Sequence, residues 1–130
     1  MHNILIIDDE QIVSDVLQRI LLRFGYHAEI APGGHEGIRM FDAGLFDLVI
    51  TDIKMPDIDG NDVAKHIRNS NRPFTPIIGI SGTPWLLEDN KFDDIIPKPF
   101  SLQSLLNIVE NVMYRAAPSQ KDSYDWAPPA

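Results

Sequence analysis

The chain has 130 residues, enough for one domain with a sizeable core, and its lack of cysteine excludes disulfides and cysteine-based metal sites or nucleophiles. A formal net charge of -8 and a pI near 4.7 argue against direct nucleic acid binding, because that binding needs a basic surface. The apolar runs are too short to span a bilayer, so we expect a soluble, cytoplasmic domain without membrane contact. Proteins, cations or small phosphate donors are the expected partners.

The N-terminal half predicts two strands and two helices. Asn3 to Ile7 is a continuous apolar run, which is the pattern of a strand buried on both faces. Apolar residues then recur at helical spacing from Gln11 to Phe24, and Gly25 is well placed to end that helix. A short strand candidate at His27 to Ala31 leads into a turn, and a second helix is expected from Glu36 to Ala43.

The middle of the chain predicts the central strand of the fold. Leu48 to Thr51 is apolar and β-branched, and the run ends at Asp52, before a loop marked by proline and glycine. A third helix is expected from about Asn61 to Asn69. Another apolar run, Ile77 to Ile80, predicts a fourth buried strand that ends at Ser81.

The last part of the fold is less regular. Only twelve residues, 82 to 93, separate the fourth strand from a fifth strand candidate at Asp94 to Ile96. This is close to the minimum of roughly 10 to 12 residues for a parallel crossover, so we expect a shortened or irregular fourth helix. A last helix is predicted from Leu102 to about Arg115. We therefore expect one folded domain over 1–115, with 116–130 as a flexible tail or linker stump.

This alternation predicts a three-layer α/β/α sandwich around a five-stranded parallel sheet. Because the carboxyl ends of parallel strands meet at one edge of a sheet, the residues that directly follow the strands should converge there. These residues are Asp8, Asp9, Asp52, Ser81 and Lys98. Three close carboxylates favour a hard cation, and Mg²⁺ fits because it takes few carboxylates and leaves room for a phosphate oxygen. The sequence thus predicts a magnesium and phosphate site.

Phosphoryl transfer suits these residue types, because it needs an in-line nucleophile and positive charge near the transferred oxygens. Asp52 can act as the nucleophile and form an acyl phosphate. Lys98 would stabilise charge beside Mg²⁺, and the Ser81 hydroxyl could donate a hydrogen bond to the transferred group. Taken singly, an acidic cluster is more often a helix N-terminus, a lysine a solvated charge and a serine a turn former. Their joint placement at four strand ends favours the functional interpretation.

Four sequence blocks, in one order, resemble the receiver domain of bacterial two-component response regulators over about residues 3 to 115. The blocks are Ile7-Asp8-Asp9-Glu10, Asp52-Ile53-Lys54-Met55-Pro56-Asp57-Ile58-Asp59-Gly60, Ile80-Ser81-Gly82 and Lys98-Pro99-Phe100. The resemblance implies that Asp52 accepts a phosphoryl group from a histidine kinase or a histidine phosphotransfer protein. Its output would then pass through contact with a downstream protein target, onward phosphotransfer, or a domain beyond Ala130.

The resemblance also implies a ligand set and a topology. It implies that Asp8, Asp9 and Asp52 hold Mg²⁺, assisted by the backbone carbonyl of Lys54. It further implies the flavodoxin-like strand order 2-1-3-4-5 and a cis Lys98–Pro99 peptide bond.

Two features depart from the family pattern. Ile95 stands where family members usually carry an aromatic residue, three positions before the lysine, and the preceding crossover is short. Our hypothesis is that Ser81 moves toward the phosphoryl group while the readout runs through an irregular segment from Pro84 to Asp93. Trp85 would then either contact a partner or pack into the gap that a shortened helix leaves.

The residues two positions beyond Asp52 and Ser81 are Lys54 and Thr83. At this spacing we expect their side chains to flank the route of a hydrolytic water and to tune the lifetime of the phosphoryl group. Replacing either one should therefore change dephosphorylation without abolishing phosphoryl acceptance.

Two alternatives of other classes stay open at this point. A metal-dependent phosphohydrolase of the haloacid dehalogenase type also forms an aspartyl phosphate, but it typically carries a second aspartate where this chain has Lys54. Such enzymes also need a substrate cap that 130 residues scarcely accommodate. A flavodoxin-like cofactor binder would need a phosphate-binding loop after the first strand, where Asp8 and Asp9 would repel the phosphate.

Overall fold

The computed structural model describes residues 2–84 and 91–116. The strands in this part of the chain are β1 Asn3–Ile7, β2 His27–Ala31, β3 Leu48–Asp52, β4 Ile77–Ser81 and β5 Asp94–Pro97. The helices are α1 Gln11–Arg23, α2 Gly34–Ala43, α3 Gly60–Arg68 and α4 Leu102–Ala116. Their order along the chain is the predicted one, and each boundary lies within two residues of the predicted position.

The strands form one parallel sheet in the order β2-β1-β3-β4-β5, which confirms the predicted fold class. The register aligns the carboxyl ends of the strands, and the paired residues there are Ile7 with Thr51, Asp52 with Ile80, and Ser81 with Pro97. Asp8 and Lys98 come directly after two of these strands. The side chains of four strand ends therefore share one edge of the sheet.

The core has two halves, one on each face of the sheet. Ile4 and Ile6 point into the half that α1 and α4 cover, whereas Leu5 and Ile7 point into the half that α2 and α3 cover. This alternation follows from the two-residue period of a strand, and it explains why β1 is apolar throughout. The arrangement is the predicted three-layer sandwich.

The helix starts have different causes. At α3, the Asp59 side chain accepts a hydrogen bond from the Asp62 amide at 2.9 Å, and the Asp62 side chain accepts one from the Asp59 amide at 3.2 Å. This is a reciprocal capping box, which stabilises the first turn. By contrast, α2 begins at Gly34, two residues before the predicted start, because its cap comes from a distant part of the chain.

The last crossover is only partly described. Its described parts, 82–84 and 91–93, carry no α-helix, and Trp85 with most of the Pro84 to Asp93 segment lies outside the described residues. The predicted irregular fourth helix and the proposed readout segment therefore stay predictions. Of the expected tail, 116–130, Ala116 is the last residue of α4, and 117–130 lie outside the described residues. Among the described helices, none combines the length and the apolar character that a membrane span requires.

Candidate functional site

Asp52 is the last residue of β3, and it lies 4% exposed at the carboxyl edge of the sheet. Its Oδ1 accepts a hydrogen bond from the Ile53 amide at 2.9 Å and lies 3.3 Å from Lys98 Nζ. Burial raises the pKa of Asp52, and the neighbouring Lys98 charge opposes that rise. The strand thus ends on a shielded carboxylate that has its own counterion.

Lys98 follows β5 directly, and its peptide bond to Pro99 is cis, as the resemblance implied. Burial lowers the pKa of Lys98, but the attraction of Asp52, with smaller contributions from Asp8 and Glu10, raises it above its usual value. The side chain is therefore an ammonium at any physiological pH. Such a fixed positive charge beside a carboxylate is what an incoming phosphoryl group requires.

Asp8 comes directly after β1 and is only 1% exposed. Its Oδ1 accepts a hydrogen bond from the Glu10 amide at 2.9 Å, whereas no donor in residues 2–84 and 91–116 reaches its buried Oδ2. Burial, reinforced by the charge of Asp52, raises the pKa of Asp8 to about 6. An unpartnered buried carboxylate oxygen is costly, and a bound cation would satisfy it.

Three carboxylates meet at this edge. Asp8, Glu10 and Asp52 each present one oxygen, and these oxygens lie within 4.8 Å of one another. Glu10 Oε1 is also 3.5 Å from Lys98 Nζ. Asp9 is outside this group, and its exposed side chain lines a separate cavity that it shares with Asp8. The metal role of Asp9 therefore stays a prediction.

Glu10 is missing from the sequence-based ligand set, although a signal for it exists. Its backbone is extended, with φ -92° and ψ 101°, because it is the residue that precedes α1. The chain bends at Asp9, and the Glu10 amide donates to Asp8 Oδ1 at 2.9 Å, so this turn brings Glu10 beside Asp8 and leaves the Asp9 side chain exposed. The sequence signal is the aspartate itself, since an aspartate side chain commonly accepts a hydrogen bond from the amide two residues on and so turns the chain.

Ser81 ends β4 and is 5% exposed. Its Oγ accepts a hydrogen bond from the Thr83 amide at 3.0 Å, which fixes the oxygen and leaves the hydroxyl proton available to a ligand. Ser81 borders a cavity of about 260 Å³ at this edge of the sheet. The residues that line the cavity are Glu10, Asp52, Ile53, Lys54, Ser81, Gly82, Thr83 and Lys98. The structure thus brings the three predicted catalytic residues to one cavity, with Lys54 and Thr83 at its wall.

The sequence matches one protein family, the response regulator receiver domain, over residues 4–110. Among curated proteins, it is 32% identical over 120 residues to the response regulator MprA of Mycolicibacterium vanbaalenii, covering 88% of this chain and 52% of that protein. It is 34% identical over 115 residues to the sensor histidine kinase AtsR of Burkholderia thailandensis, covering 83% and 19%. The chain therefore spans about half the length of MprA and a smaller part of AtsR.

A solved structure is similar over nearly the whole fold. It is the response regulator protein TrrA from Thermotoga maritima in complex with Mg²⁺-BeF, with a TM-score of 0.79 and 32% identity. The match covers 86% of this chain and 99% of that one. The likeness therefore extends to both the sequence and the three-dimensional arrangement of the strands and helices.

Proposed function

Because the chain belongs to the family of response regulator receiver domains, signalling domains of two-component systems, we propose that Asp52 accepts a phosphoryl group from a phosphohistidine donor in a Mg²⁺-dependent reaction. The observation that carries this proposal is the meeting of three groups at one cavity: the buried Asp52 carboxylate, the Lys98 ammonium at 3.3 Å, and the Ser81 hydroxyl. Family membership favours this role over that of a phosphohydrolase.

The transfer is a displacement at phosphorus. A carboxylate oxygen of Asp52 attacks the phosphorus atom, a new P–O bond forms, and the P–N bond to the donor imidazole breaks. The imidazole nitrogen leaves with the electron pair of that bond, and Asp52 becomes an acyl phosphate. Lys98 neutralises charge on the phosphoryl oxygens, and the Ser81 hydroxyl donates a hydrogen bond to one of them. Hydrolysis later returns the carboxylate and releases inorganic phosphate.

The proposed Mg²⁺ ligands are Asp8, Asp9 and Asp52 with the backbone carbonyl of Lys54. The unpartnered Oδ2 of Asp8 supports a cation here, as does the presence of Mg²⁺-BeF in the similar Thermotoga maritima protein. When bound, the ion supplies positive charge next to the oxygens of the transferred group. Glu10 places a further carboxylate oxygen within 4.8 Å of those of Asp8 and Asp52, so it adds negative charge beside the proposed ion.

The proposed donor is a histidine kinase or a histidine phosphotransfer protein, and the surface beside the site fits such a protein. Ile12, in the first turn of α1, is 81% exposed, and Val16 one turn later is 47% exposed. They line a largely apolar groove of about 490 Å³ that extends to Glu10 and Lys98. Exposed apolar side chains next to a charged site are typical of protein contacts. A downstream protein target would then respond to the phosphorylated state.

The test is intact mass after incubation with a small phosphoryl donor, with and without Mg²⁺. We expect the wild-type chain to gain one phosphoryl group only with Mg²⁺, in a form that hydroxylamine removes. Asp52→Asn should gain none. Asp42→Asn is the matched control, because Asp42 is an exposed acid that pairs with His66 on α3, away from the site. Absence of the adduct in rapidly quenched wild-type samples would contradict the proposal.

A further inference from the structure

The start of α2 is capped by a carboxylate from the loop that follows Asp52. The residue before α2 is Gly33, which has no side chain to cap the helix. Asp57 takes this place from more than twenty residues away: its Oδ2 accepts a hydrogen bond from the His35 amide at 2.9 Å and its Oδ1 one from the Gly34 amide at 3.3 Å. These bonds, the one from His35 above all, lower the pKa of Asp57.

The helix start and the loop lie in close contact. A Cβ on Gly34 would overlap the Ile58 side chain and come within 2.7 Å of the Ile58 carbonyl oxygen. A Cβ on Gly33 would come within 3.0 Å of Asp57 Oδ2. The two adjacent glycines therefore allow α2 to approach residues 57 and 58 closely, and any larger residue at Gly34 would push the helix away from the loop.

The loop from Ile53 to Asp59 is also fixed where its two ends meet, at Ile53 and Gly60. The Gly60 amide donates to the Ile53 carbonyl at 2.7 Å, which closes the loop, and Met55 and Ile58 pack against the core half below α2 and α3. Asp57 adds two hydrogen bonds to α2 on the outer side of the loop, where Pro56 and Asp57 are exposed and no apolar packing holds the chain. Along the sequence, Lys54, whose carbonyl is a proposed Mg²⁺ ligand, lies between Ile53, where the loop closes, and Asp57, which binds α2.

We propose that Asp57 is a positioning residue for the phosphoacceptor loop: by holding the loop against the start of α2, it keeps the Lys54 backbone in place for Mg²⁺. This inference rests on the proposed function and deepens it, because it assigns a role to a residue that touches neither the cavity nor the ion. Asp57 acts through the backbone of the loop. Its charge serves the amides of α2, since ionised acceptors make the stronger hydrogen bonds at a helix start.

The experiment is a calorimetric titration of Mg²⁺ into the whole chain and three variants. We expect Asp57→Ala to bind Mg²⁺ about tenfold more weakly, as is typical when a residue that orients a ligand is lost. Asp57→Asn keeps a neutral acceptor and should lie between this variant and the wild type. Glu36→Gln is the matched control: it removes an acid from the same helix turn, but Glu36 pairs with Arg39 and should leave the affinity unchanged.

An Asp57→Ala variant that folds and binds Mg²⁺ as tightly as the wild type would overturn the inference. Where Asp57→Ala fails to fold, the comparison of Asp57→Asn with Glu36→Gln decides, since both retain side chains of nearly native size. The phosphoryl adduct of the wild type is measured in parallel. Its absence would reject the phosphoacceptor role, whereas unequal affinities in the titration would still assign the positioning role to Asp57.

Discussion

The burial of the Asp8 carboxylate lowers the stability of the metal-free fold at neutral pH. A carboxyl group with a pKa raised to about 6 is ionised at neutral pH, yet its Oδ2 lies buried without a donor in the described chain. The folded state therefore holds the proton more tightly than the unfolded state does. The stability that this provides is present below the unfolded pKa near 4 and is lost as the pH rises through 6.

We predict that Asp8→Asn stabilises the metal-free chain. The free energy of unfolding should be similar to the wild-type value near pH 4 and greater than it by about 1 to 3 kcal/mol above pH 6, since each unit of pKa shift corresponds to about 1.4 kcal/mol. Urea unfolding with a chelator present, repeated across this pH range, measures the difference. A difference that does not change between pH 4 and pH 7 would show that the ionisation of Asp8 costs nothing.

Lys54 and Thr83 give a second prediction, because both lie at the wall of the site cavity. Shortening either side chain to alanine should widen the access of water to the acyl phosphate and accelerate its decay about threefold or more. Phosphoryl uptake should persist, because Asp52, Ser81 and Lys98 stay in place. The measurement is the loss of the phosphorylated mass with time after the donor is removed. Unchanged decay in both variants would contradict the proposed water route.

The residues that could be predicted are those fixed by strand ends. Asp52, Ser81 and Lys98 follow apolar runs, so a parallel sheet places them together whatever the details of the loops. Glu10 and Asp57 could not be assigned in the same way. The position of Glu10 depends on the turn at Asp9, and that of Asp57 on a contact between two segments that are distant in sequence.

The connection from α3 to β5 depends on Arg68, which lies at the C-terminal end of α3. Its Nη1 donates to the carbonyls of Pro73 at 2.8 Å and Thr75 at 2.7 Å. Its Nη2 donates to the Lys91 carbonyl at 2.6 Å and lies 3.0 Å from Asp93 Oδ2. One side chain thus ties the segment before β4 to the segment before β5, which compensates for a crossover too short to be held by a long helix.

We predict that Arg68→Ala lowers the free energy of unfolding by about 2 to 3 kcal/mol, because several carbonyls lose a charged donor. Arg68→Lys keeps the charge but cannot reach all these acceptors, so its loss should be intermediate. Urea unfolding of the purified variants measures both values. The control is Arg19→Ala, since Arg19 is exposed on α1 and has no bond to these segments. Equal free energies of unfolding for the Arg68 and Arg19 variants would contradict the proposal that Arg68 holds the two segments together.

Strands were easier to predict than the beginnings of helices. The buried strands carry continuous apolar runs, because helices cover both faces of the sheet and every side chain of a central strand is therefore buried. The start of α2 depends instead on Asp57, so local sequence around Gly33 contains no capping residue to mark it. The last crossover illustrates the same limit, because its length predicts irregularity without specifying a path.

The charge of the whole chain bears on its response to cations. The formal net charge is -8, and three of the acids present oxygens within 4.8 Å of one another at one sheet edge. Self-repulsion of this kind opposes the compact state, and it is strongest where the local dielectric constant is low. A divalent cation bound at that edge would relieve both the local repulsion and the unpaired oxygen of Asp8.

The last prediction follows from the coupling between cation binding and folding. At a free Mg²⁺ concentration of about 100 times the dissociation constant, the free energy of unfolding at neutral pH should rise by about 2.7 kcal/mol, because only the folded chain assembles the site. Sodium chloride at matched ionic strength is the control for screening of the general charge. In Asp8→Asn the gain from Mg²⁺ should shrink to that of the salt control. Equal stabilisation of the wild type by both salts would mean that the acidic edge attracts ions without binding one, and the Mg²⁺-dependent chemistry would lose its basis.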